Sequence, residues 1–98
     1  MGIALELRDE GGNVLRRVSD SEQLARALPD FDDLDFPYLR LVDPYGYTVF
    51  SHFQLVHVVL AEIETLALRS PGQSTQDLVD LARRTASEIH TYLVFVGD

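Results

Sequence analysis

The amino-acid sequence predicts an α+β fold: a mainly antiparallel sheet of about five strands, in the order β-β-α-β-β-α-α-β, with two longer helices packed on one face. Three observations carry this reading. Period-two segments gather at the start and in the middle of the chain, two long segments of helical period follow one another with no strand between them, and a continuous apolar run closes the sequence. Strands and helices therefore come in runs rather than in strict alternation, which separates this pattern from a doubly wound sheet.

In chain order, Ile3, Leu5 and Leu7 alternate with Ala4, Glu6 and Arg8, the signature of a strand with one buried face. "DEGGN" supplies a turn in which the Gly pair tolerates positive φ, and Val14 to Val18 resumes as the partner strand of a hairpin. Ser19 or Asp20 then caps a short helix that ends by Leu28, because Pro29 cannot continue it. Residues 30–36, "DFDDLDF", form an acidic loop pinned by its Phe and Leu side chains.

Tyr38 to Val42 reads as a third strand and Tyr47 to Phe50 as its returning partner. Between them, Asp43-Pro44-Tyr45-Gly46 has the residues of a type I turn, with Pro presetting φ at the second position. Ser51 and Gln54 have capping-box spacing and open a helix to about Arg69, with Val56, Val59, Leu60, Ile63, Leu66 and Ala67 on its apolar face and Leu55 and Val58 widening it. "SPGQS" breaks the chain, and Ser74 or Thr75 caps a last helix to His90, lined by Leu78, Ala82, Thr85, Ala86 and Ile89. Tyr92 to Val96 is uniformly apolar, as expected of an interior strand covered on both faces. Deleting the last six residues is accordingly expected to abolish folding.

A chain of 98 residues suits a single globular domain, residues 1–98, and 46 % hydrophobic content supports a folded core. The absence of Cys excludes disulfides, thiolate catalysis and thiolate zinc sites. "MGIALELRDE" lacks the basic and apolar regions of a signal peptide, and no apolar stretch is long enough to span a bilayer, so a cytoplasmic protein is expected. Sixteen acids against eight bases, all of them Arg, give a net charge of −8. Such a surface repels nucleic acid and anionic membranes and attracts a basic protein partner.

Candidate catalytic groups do not assemble into a known constellation. His52 and His57 are five apart, roughly 140° around a helix, which is poor for sharing a metal, and HExxH is absent. An EF-hand beginning at Asp30 would need Gly and Glu where Asp35 and Leu41 stand. Ser51, His90 and Asp98 could be drawn as a triad, but no Ser sits in GxSxG. Neither a cofactor nor a metal is expected, and the chain is read as a non-enzyme.

"DPYGYTVF" followed by "HTYLVFVGD" resembles a pattern found in small uncharacterised bacterial proteins of similar length. The resemblance spans most of the chain and implies a compact bacterial domain, with no catalytic residue set attached to it.

The expected function is a non-enzymatic acidic protein-binding module, most concretely an immunity protein or inhibitor that neutralises a basic toxin or nuclease. Asp30, Asp32, Asp33 and Asp35 would supply the charge and Tyr45 and Tyr47 the aromatic anchors. The alternative is a self-associating structural or accessory domain, a homodimer through Tyr38, Tyr45 or Val58. A third reading is a small hydrolase or ligand-binding domain using His57 and His90 near Tyr92.

Overall fold

The computed structural model describes residues 2–97. Strand β1, Ile3–Asp9, and strand β2, Val14–Ser21, form the antiparallel hairpin that the alternation implies. At their turn Asp9 Oδ1 accepts the amides of Gly11 and Asn13, both at 2.9 Å, and Gly12 takes φ of 83°. Strand β3 is Tyr47–Ser51 and strand β4 is Thr91–Gly97. All pairings are antiparallel, in the order β2-β1-β4-β3.

The closing apolar run is thus an interior strand, hydrogen-bonded to β1 on one side and β3 on the other. Leu93 and Phe95 face the core with Leu5, Leu7 and Phe50, and the Phe50 and Phe95 rings meet edge to face with centroids 5.9 Å apart. The helices cover this face only. Val94 points the other way and is nonetheless buried, between Glu6 of β1 and Val49 of β3 in the ladder.

The sheet has four strands rather than about five, because residues 38–42 do not form one. Leu39–Leu41 is a 3-10 turn, with Leu41 donating to the Tyr38 carbonyl and Val42 to that of Leu39. The amides of Tyr38 and Leu39, which a ladder would use, are taken at 3.1 and 3.0 Å by Oε1 of Glu62. That carboxylate is only 8 % exposed and acts as a remote cap on the 3-10 turn. Strand β3 accordingly pairs with β4 and not with the segment before it.

Helix α1, Glu22–Ala27, is capped by Ser21, one or two positions later than the expected Ser19 or Asp20. The Ser51–Gln54 capping box is present in both directions and opens α2, His52–Gln54, which runs through a π-helical turn, Leu55–Val59, into α3, Leu60–Arg69. The wider π turn rotates the buried face to Leu55, Val59, Ile63 and Leu66 and leaves Val56 exposed, against expectation. Helix α4, Gln73–Ser87, packs on α3 and across β1 and β4.

Helix α4 begins and ends differently from its sequence expectation. The Ser74 hydroxyl shares a 2.6 Å hydrogen bond with that of Ser21 instead of capping, while the Thr75 hydroxyl donates back to the Ser70 and Gly72 carbonyls. At the far end the helix stops at Ser87, Ile89 is exposed, and His90 adopts φ of 62° in the turn to β4. Two side chains close this end: His52 Nδ1 donates to the Thr85 carbonyl at 2.9 Å, and Thr91 donates to the same oxygen at 3.1 Å. Among the described residues no helix is long and apolar enough to cross a membrane.

Candidate functional site

Residues 30–36 fold as two successive turns, in which Asp33 donates its amide to the Asp30 carbonyl and Phe36 to that of Asp33. Phe36 is fully buried and anchors the segment, while Phe31 and Leu34 stand at the apices with 65 % and 76 % of their surface exposed. Of the three apolar side chains, only Phe36 is buried, and the two others expected to hold the loop down are largely exposed instead. Local chemistry explains their position: each follows the residue that accepts the turn-closing bond, and the Asp33 carboxylate also accepts the Asp35 amide at 3.1 Å.

The four acids of this segment separate into two kinds. Asp33 Oδ2 meets Arg69 Nη2 at 2.7 Å, and the Arg69 guanidinium lies 4.9 Å from the Phe36 ring centre. The Arg69 hydrogen bond holds the Asp33 carboxyl below its ordinary value, supported by the Asp35 amide. Asp30, Asp32 and Asp35 are exposed, and no ion pair occupies them among the described residues. Three of the four acids therefore carry no ion pair among the described residues.

Tyr45 and Tyr47 stand in different settings. The Asp43 carboxylate accepts the Tyr45 amide at 2.8 Å, which closes an Asx turn and leaves the ring 69 % exposed. Pro44 of that turn lines the same groove as Asp30 and Phe31, so the Tyr45 turn adjoins the acidic loop. Tyr47 is on the helix-free face of the sheet, with Arg8 5.4 Å above its ring. There Arg8 and Arg17 both bind the buried Glu6 carboxylate, which raises the already high Arg8 value further. Tyr47 thus belongs to a different surface, formed around an internal ion cluster.

Sequence reasoning missed the exposure of Phe31 and Leu34, which interleave with the free acids, and of Leu41 in the 3-10 turn. The only signal was an Asp-rich stretch with turn potential in front of the Phe36-Pro37 pair.

The three histidines do not converge on one site. His52 and His90 line a cleft of about 240 Å³ with Tyr92, Phe53 and Ile89, but His57 lies outside it, packed at 4.3 Å against the Phe53 ring. His52 is committed through Nδ1 to the Thr85 carbonyl, and His90 Nδ1 is 3.5 Å from Glu10 Oε2. The Ser51 hydroxyl takes the Gln54 amide and, among the described residues, bonds to no histidine. Asp98, the third member of the conceivable triad, lies outside the described residues. No group of three metal-ligating side chains occurs among the described residues.

No protein-family model, curated protein or solved structure matches this chain.

Proposed function

We propose that the chain is a non-enzymatic, acidic protein-binding module whose partner is a basic protein, acting as an immunity protein or inhibitor that covers the cationic cleft of a toxin such as a nuclease. The observation that carries this reading is the pair of turns at residues 30–36, which present Phe31 and Leu34 between the exposed acids Asp30, Asp32 and Asp35, with Pro44, the neighbour of the exposed Tyr45, lining the same groove as Asp30 and Phe31. Apolar anchors interleaved with acids are the ingredients of an interface whose affinity comes from a few buried side chains and whose association rate comes from the field. The chain's net charge of −8 adds long-range attraction for a cation-lined cleft.

The test is capture from native cell extract at low salt with the tagged chain, in parallel with an Asp32→Lys/Asp35→Lys variant. Asp33 is left in place because a Lys there would face Arg69. Retention of one basic protein by the native chain, its release by salt and its absence from the variant are expected. Equal retention by both chains would remove this surface from the account.

The second reading is self-association, favoured by the helix-free sheet face where Tyr47 and Val49 of edge strand β3 are exposed. Tyr38, one of the residues expected at such an interface, is half-buried against Phe50, with ring centres 6.4 Å apart. Sedimentation separates the readings: a dimer promotes this one, and a monomer excludes it.

A further inference from the structure

Beside the acidic turns a groove of about 440 Å³ opens between α1, the loop and the 39–44 segment. Its volume falls in the range of small-ligand sites, about 300–1,000 Å³. The walls are apolar, formed by Ile3, Leu28, Phe31, Leu41, Val42 and Pro44 among others, and the charged residues in the lining are one of each sign, Asp30 and Arg40.

Arg40 is unusual in its company. Six of the eight Arg, at 8, 17, 26, 69, 83 and 84, pair with a carboxylate; of the two with no ion pair among the described residues, Arg16 is exposed and only Arg40 is half-buried, in a chain with twice as many acids as bases. Its side chain is held in place without being neutralised. Nη1 donates to the Phe31 carbonyl at 2.8 Å, the guanidinium lies 4.8 Å from the Phe31 ring centre, and Nε is buried with no acceptor. Asp30 lines the same groove, and no ion pair joins it to Arg40. A fixed cation and a carboxylate that do not neutralise each other, set among apolar walls, are complementary to a molecule carrying both charges and an apolar body.

We infer that this groove binds a free α-amino acid with an apolar side chain, of the leucine or phenylalanine class. Arg40 receives the carboxylate, Asp30 the ammonium, and the walls formed by Leu28, Leu41 and Val42 the side chain. A simple fatty or aryl carboxylate satisfies Arg40 but is repelled by Asp30, and an amine has the converse defect. An internal peptide segment carries neither terminal charge. The groove shares Asp30 and Phe31 with the proposed protein-binding surface but uses none of Asp32, Leu34 and Asp35, so the Asp32→Lys/Asp35→Lys variant tests that surface while leaving the groove lining intact.

The test is titration of the full chain with L-phenylalanine and L-leucine, followed by calorimetry and by amide shifts, with 3-phenylpropanoate and phenethylamine as the two half-molecules. L-Phenylalanine is expected to bind at least about tenfold more tightly than either half-molecule, one charge contact being the difference. Asp30→Asn should weaken L-phenylalanine about tenfold and leave 3-phenylpropanoate no weaker, because only the ammonium contact is lost. Arg40→Gln should weaken both carboxylates, with circular dichroism confirming the fold. No binding of either amino acid up to about 10 mM overturns the inference, as does 3-phenylpropanoate binding equal to that of L-phenylalanine. Indifference of L-phenylalanine to Asp30→Asn, an exposed position whose carboxylate has no hydrogen bond or ion pair among the described residues, overturns it equally.

Discussion

Asp33 Oδ2 and Arg69 Nη2, 36 positions apart in the chain, meet at 2.7 Å, and this contact ties the acidic loop to the end of α3. It makes one acid of the cluster part of the fold and leaves Asp30, Asp32 and Asp35 on the surface.

The contact has a pH signature. Because Arg69 lowers the folded-state value of Asp33, its stabilisation is complete above the ordinary Asp value of about 3.9 and is lost as pH falls through the lower folded value. Asp33→Asn should therefore be less stable than the native chain in urea at neutral pH, and the difference should shrink once pH drops below the folded value. A deficit that persists undiminished in strong acid would mean the pair is not its source.

Glu62 offers a sharper stability test. Truncation to Ala strands the amides of Tyr38 and Leu39 in a buried setting, for an expected loss of about 2–3 kcal/mol. Glu62→Gln keeps an oxygen in place and should cost less than half as much, since Oε2 has no partner to lose. Denaturant unfolding of the two variants measures this ordering directly.

Gly97 marks the point where β4 passes the Pro44 turn. Its amide donates to the Gly46 carbonyl at 2.8 Å, and a Cβ built there would sit 2.4 Å from the Pro44 carbonyl. Gly97→Ala is expected to displace the turn and destabilise the chain by about 1–3 kcal/mol, with the largest amide shifts at residues 43–47. Removal of the last six residues takes most of β4, the strand on which β1 and β3 both depend, and should leave no cooperative unfolding transition.

Leu34 and Tyr45 separate binding from folding. Both are largely exposed, so Leu34→Ala and Tyr45→Ala should each change stability by no more than about 0.5 kcal/mol. As anchors of the proposed interface each should weaken partner binding by about 1–2 kcal/mol, read as a faster dissociation rate.

Local signals in the chain located most of the fold. The Ile3, Leu5, Leu7 alternation, the Ser51–Gln54 box and the terminal apolar run each depend on neighbours in sequence, and each appears in the structure. Tyr38 to Val42 failed as a strand because Glu62, more than twenty positions away, takes two of its amides, and periodicity carries no trace of that competition. Val56 was misplaced because a π turn shifts the helical period by a residue. At the candidate surface, Asp30, Asp32, Asp33 and Asp35 are chemically identical in the sequence, and only the arrival of Arg69 distinguishes one of them. Tyr45 and Tyr47, two positions apart, part company because one lies in an Asx turn and the other on the open face of β3.

The most direct test of the protein-binding account is the association rate between the native chain and the basic protein it captures, measured across a salt series beside Asp32→Lys/Asp35→Lys. The account predicts a native rate that falls steeply as salt rises, and a variant that associates more slowly at low salt with a flatter dependence. Coincident rates for the two chains at every salt concentration would contradict it.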